Sequence, residues 1–253
     1  MSAGAPGPVL RVEADAPSAA EALARWLATE IRSCVQRKGR CRVALSGGST
    51  PRLLFARLAE PDLAADIPWE AVHVYWSDER CVAPDDPSSN YAMAKDALID
   101  RVPLLPGHVH PVDGTLPPAL AADAYAALLG SEPLDIVLLG MGGDGHTASL
   151  FPGGPELQDE TRTVIATRSP VAPADRVSLT LRSINRADRV VFLVVGADKA
   201  AMVARVMSGG AQATEGDGAP SLPAARVRPT TGSLHWYLDQ VAASALQGEP
   251  PVR

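Results

Sequence analysis

The sequence predicts an α/β protein with a Rossmann-like, mostly parallel sheet that carries helices on both faces. Apolar runs of strand length alternate along the chain with Ala- and Leu-rich stretches of helix length. Several of these runs are apolar almost without interruption, as strands covered on both faces are. The chain has 253 residues, of which 46% are hydrophobic and 21% charged, and this composition is typical of a folded protein rather than a disordered one.

Eight segments are predicted to be strands and five to be helices. The strands are residues 10–14, 41–45, 72–76, 136–139, 163–167, 177–181, 190–195 and 234–238. The helices are residues 18–37, 51–58, 90–99, 118–129 and 198–207. Pro51 suits the first turn of its helix, where a missing backbone N–H costs nothing.

The chain is predicted to form one domain over residues 1–253. Small and polar residues, SGGAQATEGDGAP, fill residues 208–220 and predict a mobile surface loop. Too little chain follows this loop to make a second domain.

Charge and composition exclude several function classes. The net charge is -6, from 29 acidic and 23 basic residues without a long block of either sign, which argues against nucleic-acid binding. The sequence has no apolar run of membrane-spanning length and no export signal, so the predicted location is the cytoplasm. Cys34, Cys41 and Cys81 include no CxxC pair and are predicted to be reduced thiols, neither bridged nor bound to zinc.

The loops that follow the predicted strands are where a ligand would bind, because open α/β sheets bind ligands beyond the carboxyl ends of their strands. The first such loop is SGGST, which precedes Pro51. Its glycines let the backbone approach a ligand, and its hydroxyls and N–H groups suit a phosphate. A tight turn with an ordinary Ser/Thr helix cap is the structural alternative. It is no Walker loop, since no Gly-Lys-Ser/Thr follows.

Two further loops carry charges. Asp78, Glu79 and Arg80 follow the strand VHVYW and are predicted to face a cleft or one another, because charges are rarely buried without partners. Arg80 can clamp a phosphate or belong to an internal Arg–carboxylate network. Lys199 is predicted in the first turn of a helix, where a cation is disfavoured unless an anion lies nearby. A solvated surface lysine is the alternative.

The most informative loop is DIVLLGMGGDGHTASLFPG, residues 135–153. Gly140, Gly142 and Gly145 match GxGxxG after a strand, but the prolines and glycines of residues 152–155 leave no room for the long helix of a dinucleotide site. The loop instead holds Asp144 and His146. Histidine exchanges a proton near neutral pH, and a neighbouring carboxylate fixes its tautomer, so this pair predicts general acid/base catalysis rather than a structural histidine.

The other histidines point to no site. His108 and His110 alternate in GHVHP, and as a pair they lack a third metal ligand, so they are interpreted as loop or strand-edge residues. His73 and His235 lie inside strand patterns and are predicted to be packing residues.

Together, these loops resemble the 6-phosphogluconolactonase family, within the wider group that includes the glucosamine-6-phosphate deaminases. The segments that carry the resemblance are LSGGSTPRLLF, VYWSDERCVAPDDPSSNYAMAKDALI, DIVLLGMGGDGHTASLFPG, RVSLTLRSINRADRVVFLVVGADKA and LPAARVRPTTGSLHWYLD. They occur in the family's order and cover most of residues 41–240. The resemblance implies a phosphosugar isomerase/lactonase-type fold and hydrolysis of 6-phospho-D-glucono-1,5-lactone in the oxidative pentose phosphate pathway.

The resemblance also implies roles for individual residues. The catalytic group is His146, Asp144 and Asp78. The phosphate-binding group is Ser46, Gly47, Gly48, Ser49, Thr50, Arg80, Lys199 and Arg176, with Arg182 as the alternative to Arg176. No metal or organic cofactor is implied. The protein is expected to be a monomer whose partner is its small-molecule substrate, and it is not expected to bind nucleic acid or a membrane.

Two alternatives stay open. One is a deaminase or isomerase acting on an amino-sugar phosphate with Asp78 as the base. The deaminases carry an Asn-Glu pair where Leu150-Phe151-Pro152 stands here, so this alternative lacks its acidic partner. The other is a non-catalytic phosphosugar sensor, which has no use for His146.

Overall fold

The computed structural model describes residues 7–208 and 221–246. Within them the strands are β1 Val9–Glu13, β2 Cys41–Leu45, β3 Val72–Trp76, β4 Asp78–Arg80, β5 Ile136–Leu139, β6 Val164–Arg168, β7 Asp175–Leu179, β8 Arg189–Val194 and β9 Ser233–Asp239. The α-helices are α1 Ala16–Lys38, α2 Ser49–Leu58, α3 Pro61–Ala64, α4 Asn90–Ala97, α5 Pro118–Leu129, α6 Leu181–Asn185, α7 Ala200–Met207 and α8 Gln240–Ala243.

The main sheet has six strands in the order β1-β9-β8-β5-β2-β3, and every neighbouring pair is parallel. Successive side chains of a strand point to opposite faces. Ile136 and Leu138 accordingly pack in a buried cluster with α1, α2 and α4, whereas Val137 and Leu139 pack in another with α5 and α7. The predicted mostly parallel sheet with helices on both faces is therefore confirmed.

Local signals set the ends of the longest helix, α1. The Asp15 carboxylate caps its start by accepting from the Ser18 N–H at 2.8 Å. Gly39 ends it in the left-handed region at φ 75°, where its N–H donates to the Val35 carbonyl at 2.8 Å. The helix predicted over residues 18–37 thus extends two residues further towards the N-terminus and one towards the C-terminus.

The predicted strands 163–167 and 177–181 do not join the parallel sheet. They form β6 and β7 of a second, antiparallel sheet in the order β4-β7-β6. Six residues, 169–174, connect β6 to β7, and a parallel pair needs a longer crossover. Strand β4 was missed in the sequence because its three residues, Asp-Glu-Arg, carry no apolar pattern.

Two predicted segments differ at the C-terminal side. The predicted helix 198–207 is divided into a 3₁₀ turn, Ala197–Lys199, and α7, so Lys199 precedes the α-helix instead of lying in its first turn. The predicted mobile loop 208–220 lies outside the described residues except for Ser208. Cys34, Cys41 and Cys81 are free thiols. No helix in residues 7–208 or 221–246 has both the length and the apolar character needed to cross a membrane.

Candidate active site

A cleft of about 580 Å³ opens where β2, β5 and β8 end, with the antiparallel sheet as its other wall. All eleven residues predicted for the site line it: Ser46, Gly47, Gly48, Ser49, Thr50, Asp78, Arg80, Asp144, His146, Arg176 and Lys199. Arg182 does not line the cleft. It is exposed and donates to the Glu160 carbonyl at 2.9 Å, so of the two arginines left open by the sequence, Arg176 is the one at the cleft.

His146 and Asp144 form a hydrogen-bonded pair. Nδ1 of His146 lies 2.6 Å from Oδ1 of Asp144, and the same oxygen accepts from the His146 backbone N–H at 3.1 Å. When the carboxylate is ionised, Nδ1–H must be the donor, so Nε2 of the neutral ring is free to accept a proton. The Phe151 ring packs against the imidazole at 4.9 Å between centroids.

The surroundings of Asp144 favour its ionised form. Partial burial opposes ionisation, but hydrogen bonds and Coulomb attraction from His146 outweigh it, and the pKa of Asp144 is lowered. Both side chains stay accessible, at 34% exposure for His146 and 46% for Asp144. The pair can therefore meet a ligand from the cleft.

The glycines around the pair make its geometry possible. The Gly142 N–H donates to the His146 carbonyl at 2.9 Å, and the loop turns at Gly145 with φ 85°. A Cβ on Gly142 would lie only 2.1 Å from Nδ1 of His146. The chain then continues into the 3₁₀ turn Pro155–Gln158, so the loop is not followed by the long helix of a dinucleotide site.

Arg80 and Arg176 face each other across the β4–β7 pair. Neither lies within 4.0 Å of a carboxylate of the described residues, and Nε of each is buried without a hydrogen-bond partner there. Burial and the neighbouring Arg80 lower the pKa of Arg176, which is only 6% exposed. Arg80 is half-buried, and its Nη1 donates to the Ser88 carbonyl. Two neighbouring guanidinium groups without carboxylate partners are the kind of arrangement that favours an anion.

Glu79 is not a partner of these arginines. It is 2% exposed, and its carboxylate accepts from the backbone N–H groups of Arg80 at 2.8 Å, Asn90 at 2.7 Å and Tyr91 at 2.7 Å. Burial raises its pKa, although these hydrogen bonds oppose the shift. The internal Arg–carboxylate network considered from the sequence is therefore absent from the described residues, and Glu79 anchors the start of α4 instead.

The SGGST loop leaves the start of α2 open to the cleft. Gly48 is the N-cap at φ 109°, and no side chain caps the helix. The Ser/Thr-cap alternative is therefore wrong, and the first residues of α2, whose N–H groups have no side-chain cap, line the cleft. Lys199 adds a cation from the opposite loop: its Nζ lies 3.1 Å from the Asp198 carboxylate and 3.8 Å from where a Cβ of Gly143 would be.

Asn90, Ala148 and Ser149 were not assigned to the site from the sequence, although all three line the cleft. Asn90, 2% exposed, donates to the Asp78 carbonyl at 2.9 Å, and Ser149 donates to the Asp78 carboxylate at 2.7 Å. Ala148 has φ 48°, a strained value for a residue with a side chain. Asn90 and Ser149 stand inside the motifs quoted above, but only the folded chain brings them to Asp78.

Candidate metal ligands lie elsewhere. Among the described residues, one group of three ligand atoms falls within 4.8 Å of one another, from the buried residues Cys34, Cys41 and Asp135. Both Asp135 oxygens already accept hydrogen bonds, from Nζ of Lys38 at 2.5 Å and from the Arg42 N–H at 2.8 Å. None of these residues lines the cleft. The sequence-based prediction that no metal or cofactor is needed stays a prediction.

Comparison with known proteins identifies the family that the chain resembles in sequence and fold. The family model of glucosamine-6-phosphate isomerases/6-phosphogluconolactonase matches residues 14–236. A 6-phosphogluconolactonase from Nostoc sp. is 38% identical over 229 residues, covering 86% of this chain and 90% of that protein. One from Aggregatibacter actinomycetemcomitans is 36% identical over 208 residues, covering 81% and 87%. The solved 6-phosphogluconolactonase from Trypanosoma cruzi superimposes with a TM-score of 0.82 at 29% identity, covering 96% and 98%.

Proposed function

The chain belongs to the glucosamine-6-phosphate isomerase/6-phosphogluconolactonase family, and from this premise we propose that it hydrolyses 6-phospho-D-glucono-1,5-lactone to 6-phosphogluconate. The observation that carries the proposal is the His146–Asp144 pair in a cleft that also holds two arginines without carboxylate partners among the described residues. The pair supplies a proton acceptor, and the arginines supply the counter-charge for a phosphate.

The chemistry needs one group that both accepts and returns a proton. Nε2 of His146 takes a proton from water as the water oxygen bonds to C1 of the lactone. When the bond between C1 and the ring oxygen breaks, the imidazolium gives that proton to the ring oxygen, and the new carboxylic acid releases its own. Asp144 stabilises the imidazolium between the two steps. A group acting in this way contributes about 10²- to 10⁴-fold to the rate.

The carbonyl oxygen of C1 needs a donor while it carries negative charge. Within the turn of residues 142–147, the N–H groups of Gly142, Gly145, His146 and Thr147 already donate to acceptors of the turn itself or of Leu150. The N–H groups of Gly143 and Asp144 have no acceptor in another of the described residues, which supports them as the donors to the oxyanion.

The far end of the substrate is held by its phosphate. Arg80, Arg176 and Lys199 supply positive charge, and the SGGST loop supplies the backbone N–H groups at the start of α2. Anchoring the phosphate places C1 beside His146 and so replaces an encounter in solution by a bound geometry. We assign Asp78 the sugar hydroxyls, because Oδ1 of its carboxylate accepts no hydrogen bond from the described residues.

The deaminase alternative is less well supported. The deaminases carry an Asn-Glu pair where Leu150-Phe151-Pro152 stands here, and at that point the apolar ring of Phe151 packs against His146. The proposed reaction belongs to the oxidative pentose phosphate pathway, and we propose that the chain performs it as a cytoplasmic monomer. The small-molecule lactone is then its only required partner.

Replacement of His146 tests the mechanism. His146→Ala should lower kcat for the lactone by about 100-fold or more, because the proton acceptor is lost, while 6-phosphogluconate still binds through the phosphate site. Proton release from freshly prepared lactone, corrected for spontaneous hydrolysis, measures the rate. His108→Ala, which removes a histidine outside the cleft, is the matched control and should keep the wild-type rate. A His146→Ala enzyme as fast as the wild type would refute the assignment.

A further inference from the structure

The Asp78 carboxylate lies beside two cations but pairs with neither. It stands on β4, the strand that also carries Arg80, and β4 pairs with β7, which carries Arg176. No oxygen of Asp78 lies within 4.0 Å of either guanidinium among the ion pairs of the described residues. Its single side-chain hydrogen bond there comes from Oγ of Ser149, which lies 2.7 Å from Oδ2.

Ser149 is itself held on both sides of its backbone. Its N–H donates to Oγ of Ser178 at 3.2 Å, and its carbonyl accepts from Oγ1 of Thr167 at 2.8 Å. Both partners belong to the antiparallel sheet, on β7 and β6. Ser149 is 2% exposed, so its hydroxyl has no access to bulk water as an alternative partner.

The preceding backbone directs Ser149 toward Asp78. Ala148 has φ 48°, which costs a residue with a side chain on the order of 1 kcal/mol or more and persists only where surrounding contacts enforce it. The contacts that enforce it are the two backbone hydrogen bonds of Ser149 and the β-bridge between Thr147 and Leu150. The strained turn therefore connects the loop of His146 to Ser149, whose hydroxyl donates to Asp78.

We propose that Ser149 is a positioning residue, which holds Oδ2 of Asp78 so that Oδ1 faces the substrate and the carboxylate stays away from the phosphate-binding arginines. A hydroxyl that donates to a carboxylate makes a charge-assisted bond, stronger than a neutral one. Without it, the side chain of Asp78 is free to rotate toward Arg80 or Arg176 and to neutralise the charge that the phosphate needs. The inference rests on the proposed function, since it assigns Ser149 a role in that reaction.

A double-mutant cycle on kcat/KM separates positioning from a purely structural role. In the wild-type background, Ser149→Ala should lower kcat/KM for the lactone by about 10- to 100-fold, the loss expected for a hydrogen bond to a charged group. In an Asp78→Ala background the hydroxyl has no carboxylate to hold, so the same change should cost less than about 2-fold.

Controls keep the result interpretable. Ser183 is also a buried serine whose hydroxyl donates, to the Thr163 carbonyl at 2.6 Å, but it does not line the cleft. Ser183→Ala should change kcat/KM by less than about 2-fold, and thermal unfolding of every variant checks its fold. If Ser149→Ala does not fold, Ser149→Cys fills the site with a slightly larger side chain that donates weakly, and it should show the same dependence on Asp78.

Each outcome decides the inference. Suppose that the wild type hydrolyses the lactone and that Ser149→Ala lowers kcat/KM equally in both backgrounds. Ser149 then acts independently of Asp78, which overturns the inference and leaves the proposed function standing. A wild type that does not accelerate lactone hydrolysis overturns the proposed function, and the inference with it.

Discussion

At the scale of single residues, the position of His146 depends on the absence of a side chain at Gly142. Gly142 has no side chain, and the ring of His146 with the Asp144 carboxylate occupies the space where a Cβ would stand. A Cβ there would lie 2.1 Å from Nδ1 of His146 and 2.6 Å from Oδ1 of Asp144, distances that real Cβ atoms do not adopt. The glycine is therefore required by the hydrogen-bonded pair itself.

Gly142→Ala should separate the pair and lower kcat/KM for the lactone by about 100-fold, since the imidazole loses the position and the carboxylate that make it a base. Gly140→Ala is the matched variant two positions away in the same loop: its Cβ would meet no heavy atom within 4 Å. It should lose much less activity. Steady-state kinetics of the two variants measures the difference, and equal losses would show that the glycine spacing has no bearing on the pair.

Much of the site could be predicted at this scale, because ligands bind after the carboxyl ends of parallel strands and the chain has unusual residues there. His146 and Asp144 stand two residues apart in one loop, so local sequence suffices to pair them. Ser149 and Asn90 could not be assigned to Asp78, because they lie 71 and 12 positions away and only the antiparallel sheet brings them together. The strain at Ala148 leaves no trace in the residue type.

At the scale of elements, three histidines cluster beside the edge strand β3, and one of them, His73, belongs to that strand. His73 on β3 lies 3.1 Å from His110 between ring nitrogens and stacks on His108 at 3.8 Å between centroids. His110 extends from the segment that runs along β3, and its N–H donates to the Val74 carbonyl at 2.9 Å. The structure thus places beside His108 and His110 the third histidine that the sequence analysis did not associate with them.

This cluster should make the protein less stable in mild acid. Burial, the neighbouring imidazoles, Arg40 and Arg42 lower the pKa of His73 to about 4, whereas an unfolded histidine titrates near 6.5. Between these values the unfolded chain binds the proton and the folded chain does not, so the free energy of unfolding falls as the pH drops from about 6.5 to 4. His73 should account for about 1 to 3 kcal/mol of this fall, after allowance for its partial exposure.

Denaturant unfolding of the wild type and His73→Gln at pH 7 and pH 4.5 checks this expectation. The variant should lose less stability between the two pH values, whatever its absolute stability. His235 on β9 has its pKa lowered to about 4 by burial and nearby arginines. His235→Gln should therefore reduce the same slope separately, because β9 is four strands away from β3 in the sheet. Unchanged slopes in both variants would contradict the account.

At the scale of the whole molecule, the cleft lies between two sheets. The parallel sheet supplies the loops of residues 46–50, 140–151 and 195–199, and the antiparallel sheet supplies Asp78, Arg80 and Arg176. One buried cluster contains side chains of both sheets, such as Val137 of β5 and Val177 of β7. This shared core supports the proposal of a single domain.

The overall class of the fold could be predicted because apolar runs of strand length alternate along the sequence with Ala- and Leu-rich stretches of helix length. The second sheet could not, since β6 and β7 resemble parallel strands in composition and β4 consists of three charged residues. The pairing of Arg80 with Arg176 depends on that sheet, so it could not be predicted from the sequence either. The same sheet brings together the two arginines of the proposed phosphate site.

Hydrolysis of freshly prepared 6-phospho-D-glucono-1,5-lactone by the wild-type protein, compared with unphosphorylated glucono-1,5-lactone, tests the central claim most directly. If the His146–Asp144 pair is catalytic and the two arginines bind the phosphate, as proposed, hydrolysis should be accelerated far above the spontaneous rate. We also expect kcat/KM to be higher by about 100-fold or more for the phosphorylated lactone. Proton release that does not exceed the spontaneous rate, or equal kcat/KM for the two lactones, would contradict the account.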